Sequence, residues 1–307
     1  MLTKNYKASE NKAVLFFSAS STGDFQQLYD FGIRETLVSY FYLRKNLSYY
    51  EKMLPKFKAE GGIFMTDSGA FSFMGKYDES DPEFDKYRTE EFWLPYLSEY
   101  ISWIKEHREY IFSVANLDLD MIVGEEIVDK WNREFFEPLE KSGIQVVYVS
   151  HPTNKRDSMS RLKQYCKRYS YVGVNQSEKA NAFKIYRLVK LYKCRIHGFA
   201  WTELGLLKHY PFFSADSVTW LGGVRFGTTY DYDGKNFRTL DYKHKYLRKA
   251  HRIKYEKAGV DFEQVTKKEE RKNINKMNLL GWLGFRKEYL KAANLKLHNR
   301  VVAAYVR

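Results

Sequence analysis

The amino-acid sequence predicts an α/β fold, a closed (β/α)8 barrel of the TIM type followed by a basic helical region. Eight short apolar runs, rich in β-branched and aromatic residues, alternate with seven longer helical patterns between residues 13 and 215. The runs are almost continuously apolar, as parallel strands buried on both faces should be. Polar residues gather where the runs end, and the carboxyl ends of all strands in a barrel lie on one face. An open, doubly wound sheet is the alternative, because the spacing fits both.

In chain order, each predicted strand is a run of four to six residues without the three- or four-residue spacing of a helix. The first strand reads AVLFFS, the third IFMT and the seventh CRIHGF. The predicted strands are 13–18, 37–41, 63–66, 111–116, 145–150, 171–174, 194–199 and 212–215. The segments between them repeat apolar residues with the period of a helix and predict helices at 25–29, 49–58, 89–106, 125–142, 156–168, 180–191 and 202–209.

Length and composition narrow the class of protein. The chain has 307 residues, 44% of them hydrophobic, which is enough for one large domain or two ordinary ones. It has no run of 18 apolar residues and starts polar, so we expect neither a membrane span, a membrane partner nor a signal peptide. Its two cysteines, Cys166 and Cys194, are far apart, which indicates a reducing, cytoplasmic location and argues against a Cys-rich zinc site.

The charge divides the chain into two parts. The net charge is +13, and residues 235–307 alone carry 20 Lys and Arg against 7 Asp and Glu, so residues 1–234 are balanced. We therefore predict a barrel domain at 1–234 and a basic helical region at 235–307 that packs on the barrel and contacts nucleic acid. A solvated, lysine-rich surface is the simpler alternative. The intervening glycine-rich passage at 221–234 predicts a connecting loop with turns.

Polar side chains lie at the carboxyl ends of six of the predicted strands. They are Asp67, Asp118, His151, Asn175 with Gln176, His197 and Asp216. A single Asp after a strand is more often a helix cap than a catalyst. Three acids with histidine and amide groups on one rim are harder to explain by capping, and they favour an active site. Asp120 competes with Asp118 in the sequence LDLD, and His197 is as well explained by a satisfied core histidine.

Two carboxylates on one rim are suited to exchange at a glycosidic bond. One attacks the anomeric carbon, and the other protonates the leaving group and then deprotonates the incoming one. This chemistry requires no metal and no cofactor. The chain lacks Walker, Rossmann, GxSxG and zinc-deaminase patterns. A Mg²⁺ site built from the three aspartates stays an alternative.

Four motifs resemble those of the tRNA-guanine transglycosylases, and their order and spacing agree over roughly residues 60–220. TDSGAFS at 66–72 resembles the aspartate–serine–glycine motif of that family. NLDLD at 116–120 is similar to the segment with its guanine-reading aspartate, and YVGVNQ at 171–176 to a glycine strand end that contacts the base. HGFA at 197–200 with SADSVTW at 214–220 is similar to the segment that carries the nucleophile.

The resemblance implies a barrel enzyme that exchanges guanine in a polynucleotide for a free 7-deazaguanine, such as a preQ0- or preQ1-like base. Asp216 would be the nucleophile at C1′, Asp67 the general acid and base, and Asp118 the acceptor for the guanine edge. His151 would stand where the family usually has glutamine. The other implied substrate-binding residues are Ser68, Gly69, Gly173, Asn175, Gln176, His197 and Gly198.

Two departures from the family narrow the choice of nucleic-acid substrate. The tRNA enzymes hold zinc with three Cys and one His after the nucleophile, whereas this sequence has no cysteine after Cys194 and is shorter. Both features resemble the phage-type relatives that place 7-deazaguanines in DNA, so we expect a DNA partner, with host cytoplasm as the location if a phage encodes the chain. The target nucleotide would be flipped out or single-stranded. Action on tRNA and a non-catalytic nucleic-acid-binding barrel are the alternatives, and a homodimer is left open.

Overall fold

Eight parallel strands close into a barrel, which confirms the predicted (β/α)8 fold. The computed structural model describes residues 12–74, 84–151, 158–201, 204–210, 212–223, 229–240, 250, 252–257, 259–261, 263 and 271–305. Strands pair in chain order, and the last pairs with the first. They are β1 Val14–Ala19, β2 Glu35–Ser39, β3 Ile63–Asp67, β4 Ile111–Ala115, β5 Gln145–Val149, β6 Tyr171–Asn175, β7 Arg195–Phe199 and β8 Ser214–Ser217.

Helices surround the barrel and separate its strands. Those before β8 are α1 Thr22–Asp30, α2 Tyr40–Leu43, α3 Leu47–Ala59, α4 Ala70–Met74, α5 Phe84–Tyr87, α6 Glu90–Glu106, α7 Asp120–Val123, α8 Glu125–Trp131, α9 Glu137–Lys141, α10 Ser158–Arg168, α11 Ala182–Tyr192 and α12 Leu204–His209. Two more follow the barrel, α13 Arg252–Lys257 and α14 Arg271–Tyr305. Short 3₁₀ turns lie at Arg44–Asn46, Gln176–Asn181 and Thr219–Leu221.

Alternation along the strands produces two cores, because successive side chains point to opposite faces. One face of each strand fills the barrel, where Phe16, Met65, Val147 and Tyr171 pack together. The other face packs against the helices in a larger cluster. At the carboxyl ends of the strands, the side chains that face the barrel interior are polar instead, and these polar side chains form the candidate site.

Two strands differ from their predicted bounds by more than one residue. The eighth is shifted toward the carboxyl terminus, to Ser214–Ser217, so Asp216 is a strand residue rather than one just past the strand. The second ends at Ser39, and the aromatic residues after it form α2, which buries Tyr40 and Leu43. Apolar content alone does not separate a buried strand from a short buried helix, which accounts for the second difference.

The predicted helix at 125–142 is interrupted by a π turn at Asn132–Phe136. The wider turn precedes Pro138, whose nitrogen cannot donate a helical hydrogen bond. It also brings Asn132 inward, where its Oδ1 accepts a 2.9 Å hydrogen bond from Asn116 Nδ2. The interruption therefore joins this helix to the residue that follows β4.

The glycine-rich passage contains a strand rather than only a connecting loop. Strand β9, Thr229–Tyr232, pairs antiparallel with β10, Phe237–Leu240, through a turn in which Gly234 has φ +93°. The predicted domain boundary between residues 234 and 235 thus falls inside a hairpin. The loop-like composition of this passage obscured the strand-like alternation of side chains in TYDY at 229–232.

Helix α14 packs on both the hairpin and the barrel. Its buried residues Trp282, Phe285 and Tyr289 belong to the same apolar cluster as the outer barrel residues. A Cβ on Gly281 would lie 2.6 Å from the carbonyl oxygen of Tyr230, so glycine is required for this close approach. None of the helices that the structure describes is both long and apolar enough to cross a membrane.

Candidate active site

Three aspartates meet at the carboxyl end of the barrel. Asp67 is the last residue of β3, Asp118 follows β4, and Asp216 lies in β8. The negative charges of Asp216 and Asp118 both raise the pKa of Asp67, so the three carboxylates share one electrostatic environment. The chain thus brings together acids that are separated by up to 149 positions in sequence.

Asp216 is almost buried, with 6% of its surface exposed, and its carboxylate is fixed from three sides. Oδ2 accepts a 2.6 Å hydrogen bond from the Ser18 hydroxyl, which comes from β1. Oδ1 accepts a 2.9 Å hydrogen bond from the backbone N–H of Ala200 and lies 3.3 Å from His197 Nε2. Ala200 adopts φ +52°, an unusual conformation for a residue with a Cβ, and this aims its N–H at the carboxylate.

His197 lies beneath Asp216 inside the barrel, with 0% of its surface exposed. Its Nδ1 lies 2.6 Å from the hydroxyl of Ser214, and that hydroxyl also hydrogen-bonds the phenol of Tyr171. The ring of Phe199 stands edge-on to the imidazole at 4.2 Å between centroids. Because both ring nitrogens have protein partners, the structure favours a core role for His197 over the expected contact with substrate.

Asp67 begins a tight turn that holds its half-buried carboxylate at the mouth. Its Oδ1 accepts a 2.8 Å hydrogen bond from Gly69 N–H. Gly69 has φ +80°, and a Cβ there would lie 2.4 Å from Phe41 Cβ, so the turn needs glycine for two reasons. The carbonyl of Ser68 accepts a 2.6 Å hydrogen bond from Tyr96 OH of α6, which anchors the turn to the outer helices.

The surroundings raise the pKa of Asp67 from 3.8 to about 7. Removal from water is the largest cause, and the charges of Asp216 and Asp118 add to it. The Ser39 hydroxyl, beside Asp67 in the strand register, and Gly69 N–H act in the opposite direction. A carboxyl group with a pKa near neutrality can both give and take a proton, which is what a general acid and base requires.

Asp118 faces the mouth, whereas its competitor Asp120 does not. Asp118 Oδ1 accepts a 3.2 Å hydrogen bond from Ser68 Oγ, and its Oδ2 lies 2.7 Å from His151 Nε2. Burial lowers the pKa of His151, but the hydrogen bond and charge of Asp118 outweigh it and raise that pKa overall. Asp120 instead forms a buried 2.5 Å ion pair with Arg161. The structure therefore places Asp118, Ser68 and His151 together at the rim.

The remaining residues expected at the substrate lie at the ends of β6 and β7, with local contacts. Asn175 Oδ1 accepts from Ser177 N–H at 3.0 Å and caps the 3₁₀ turn that Gln176 begins. A Cβ on Gly173 would lie 2.6 Å from the ring of Phe199, so glycine makes room for that ring in the barrel. Gly198 faces the outer layer, where a Cβ would lie 2.9 Å from the Phe212 ring.

Three groups at the site were not expected from sequence. Ser18 ends the first apolar run, so the rule that selected the aspartates could also have selected it. Ser214 lay inside a predicted strand, and Ala200 contributes only backbone, so neither carried a signal. In the described part of the chain, no three His, Cys, Asp or Glu side chains form a group suited to hold a metal ion, so the rim aspartates are not arranged as a Mg²⁺ cage.

Comparisons with known proteins show no family for this chain. No family model matches it, and no curated protein matches it. Solved structures that match include tryptophan synthase from M. tuberculosis in an open form with BRD0059 bound, at 13% identity and a TM-score of 0.44, over 70% of this chain and 87% of that one. The aminoacrylate-bound form matches at 11% identity and a TM-score of 0.42, over 71% and 88%. The fold assignment rests on the strand pairing itself, and the resemblance to the transglycosylases stays a prediction.

Proposed function

We propose that this chain is a base-exchange transglycosylase that replaces guanine in DNA with a free 7-deazaguanine through a covalent aspartyl-glycosyl intermediate. The observation that carries the proposal is a pair of unlike carboxylates in one barrel mouth. Asp67 has a pKa of about 7 and retains a proton near neutral pH. Asp216 is fixed by Ser18, His197 and the backbone of Ala200. One group is thus suited to move a proton and the other to attack.

The two carboxylates divide the reaction into two displacements. Asp216 attacks C1′ of the target nucleotide, the C1′–N9 bond breaks with its electron pair going to guanine, and Asp67 gives the departing base a proton. Asp67 then removes the N9 proton of the incoming 7-deazaguanine, N9 attacks C1′, and the ester bond to Asp216 breaks. Both residues return to their starting states, and the configuration at C1′ is retained.

In this proposal, the rim pair of Asp118 and His151 recognises the base. A carboxylate accepts hydrogen bonds from the N1–H and 2-amino group of a guanine edge. His151, whose pKa is raised, supplies a donor for the carbonyl oxygen of the same edge. Both guanine and a 7-deazaguanine present this edge, so one rim serves the departing and the incoming base.

The preference for DNA is supported by the missing zinc ligands and by the charge of the chain, which totals +13. Two exposed apolar side chains, Phe71 and Met121, follow β3 and β4 on the side of the carboxylates and offer surface to unstacked bases. Several cations after the barrel are already paired with carboxylates, among them Lys254 with Asp231 and Arg286 with Glu35. The other basic side chains would therefore make the contacts with the DNA backbone.

The test is exchange of radiolabelled guanine into single-stranded DNA, duplex DNA and tRNA, each offered alone and in competition. We expect label in DNA and a denaturant-stable protein–DNA adduct in wild type. Asp216→Asn should bind DNA and form no adduct, and Asp67→Asn should lose exchange. Asp30→Asn, the same change at an exposed residue of α1, is the matched control and should behave as wild type.

Three outcomes would contradict the proposal. Exchange into tRNA alone would overturn the DNA preference. Full exchange by Asp216→Asn would remove the nucleophile. Strong DNA binding without exchange or adduct in wild type, with 7-deazaguanine bases supplied, would favour the non-catalytic reading.

A further inference from the structure

A connected row of polar side chains crosses the barrel interior beneath the nucleophile. The phenol of Tyr171 hydrogen-bonds Ser214 Oγ, which lies 2.6 Å from His197 Nδ1. His197 Nε2 lies 3.3 Å from Asp216 Oδ1, and Ser18 Oγ closes the row at 2.6 Å from Oδ2. The exposed fractions are 2% for Tyr171 and 0% for Ser214 and His197. Protein groups rather than solvent therefore determine how these side chains are hydrogen-bonded.

The direction of each hydrogen bond follows from counting protons. Among the residues that the structure describes, the Tyr171 hydroxyl has Ser214 as its hydrogen-bond partner, so its proton goes to Ser214 Oγ. If every hydroxyl proton of the row is satisfied within the row, the Ser214 hydroxyl donates its own proton to His197 Nδ1. In that arrangement His197 Nδ1 accepts a hydrogen bond, and the ring proton lies on Nε2, where it donates to Asp216.

The same counting distinguishes the two oxygens of Asp216. Oδ1 receives two donors, Ala200 N–H at 2.9 Å and His197 Nε2 at 3.3 Å, which occupy both of its lone pairs. Oδ2 receives one donor, the Ser18 hydroxyl at 2.6 Å. One lone pair of Oδ2 is left to form a bond to carbon.

We propose that His197 is a positioning residue, held in its Nε2–H tautomer by Ser214 and Tyr171, which anchors Oδ1 of Asp216 so that Oδ2 attacks C1′. The proposal rests on the proposed function for the identity of the attacked atom. His197 does not touch the substrate, because the imidazole is fully buried. It acts by holding the carboxylate plane, and misplacement of a reacting group by about 1 Å costs on the order of 100-fold in rate.

The matched variants are His197→Gln, whose amide can still donate to Asp216, and His197→Met, which has similar bulk and no donor. We expect His197→Met to lower kcat and the rate of adduct formation by roughly 10- to 100-fold, with KM for DNA within about twofold. His197→Gln should recover most of that loss. A merely structural role would affect both variants alike, and equal rates in the two would overturn the proposal.

Nitrogen NMR of the ¹⁵N-histidine-labelled protein gives a readout that does not depend on activity. The His197 signals, assigned by their absence in His197→Gln, should show a neutral ring protonated at Nε2. Tyr171→Phe, which removes the first proton of the row without emptying the space, should shift the tautomer toward Nδ1–H and lower kcat less than His197→Met does.

The two measurements separate the failure of each claim. A wild-type protein without exchange or adduct contradicts the proposed function, while the tautomer still decides the arrangement of the row. An imidazolium, or an Nδ1–H tautomer at neutral pH, overturns the positioning proposal even in an active enzyme. If His197→Met does not fold, Tyr171→Phe carries the kinetic test, and unchanged kcat with unchanged tautomer counts against the proposal.

Discussion

Asp67 owes its chemical character to its surroundings rather than to its residue type. The same carboxyl in water would be ionised at neutral pH, but removal from water and two neighbouring negative charges raise its pKa to about 7. The folded chain therefore holds this proton up to about pH 7, whereas the unfolded chain releases it near pH 4. Between those pH values the folded state binds more protons, so ionising Asp67 costs stability as the pH rises.

Asp67→Asn should therefore stabilise the protein in a pH-dependent manner. At each pH, the quantity compared is the free energy of unfolding of the variant minus that of wild type. We expect this difference to rise by on the order of 2 kcal/mol between pH 5 and pH 8, because the amide cannot ionise. Urea unfolding of both proteins at the two pH values measures this difference. Asp30→Asn provides the control and should keep a constant difference from wild type; a constant difference for Asp67→Asn would contradict the raised pKa.

The sequence identified the rim acids but not their partners. Strand-end position was enough to select Asp67, Asp118 and Asp216, since a parallel barrel collects those ends on one face. It did not separate Asp118 from Asp120, because that choice depends on Arg161, which comes from α10. Nor did it decide the role of His197, because burial by neighbouring strands is a tertiary property.

At the scale of elements, the turn after β3 carries Asp67, the carboxyl group whose pKa is raised. The chain must reverse within the three residues Asp67, Ser68 and Gly69 while keeping the carboxylate at the mouth. Gly69 makes this possible through its positive φ and its lack of a Cβ against Phe41.

Gly69→Ala should be more destabilising than Gly61→Ala. Both glycines have φ +80°, but a Cβ at Gly61 meets nothing within 4 Å, whereas a Cβ at Gly69 meets Phe41 at 2.4 Å. We expect about 1 kcal/mol for Gly61→Ala and an additional 1–3 kcal/mol or so for Gly69→Ala, from the backbone strain and the overpacking respectively. Chemical denaturation compares the two, and equal losses would mean that the turn relaxes without cost.

Continuous apolar runs and helical periods sufficed to predict all eight strands and most helices. The hairpin of β9 and β10 was not predicted, because the passage is rich in glycine and its strands are stabilised by packing on α14. The local sequence pattern predicts well the elements that have a strongly apolar face. It predicts poorly the elements whose stability depends on packing against a segment distant in sequence.

At the scale of the whole molecule, α14 runs from the mouth of the barrel toward its opposite end. Asn278 bonds the carbonyl of Trp220, just past β8, whereas Asn294 accepts from Ala13 N–H, just before β1. Lys276 and Lys291 are thus near opposite ends of the barrel, separated by roughly 22 Å along the helix. That distance exceeds the screening length of about 8 Å at physiological salt.

Lys276→Glu should therefore weaken DNA binding more than Lys291→Glu does. A cation near the mouth can neutralise a phosphate beside the target nucleotide, and its loss should reduce the salt dependence of log K by about one unit of slope. Fluorescence anisotropy with a single-stranded oligonucleotide over a range of salt concentrations measures both effects. Equal losses would place the DNA along the whole helix instead of at the mouth.

Ser18 and Asp216 are 198 positions apart, yet they share a 2.6 Å hydrogen bond. During synthesis on the ribosome, the first strand must wait for the eighth before this contact can form. A nascent chain that ends before residue 214 contains Asp67, Asp118 and the three residues that hold Asp216, which are Ser18, His197 and Ala200, but it lacks Asp216 itself. The candidate site is therefore complete only after the eighth strand has been added to the barrel, and under the proposed function a chain truncated before that strand would form no adduct with DNA.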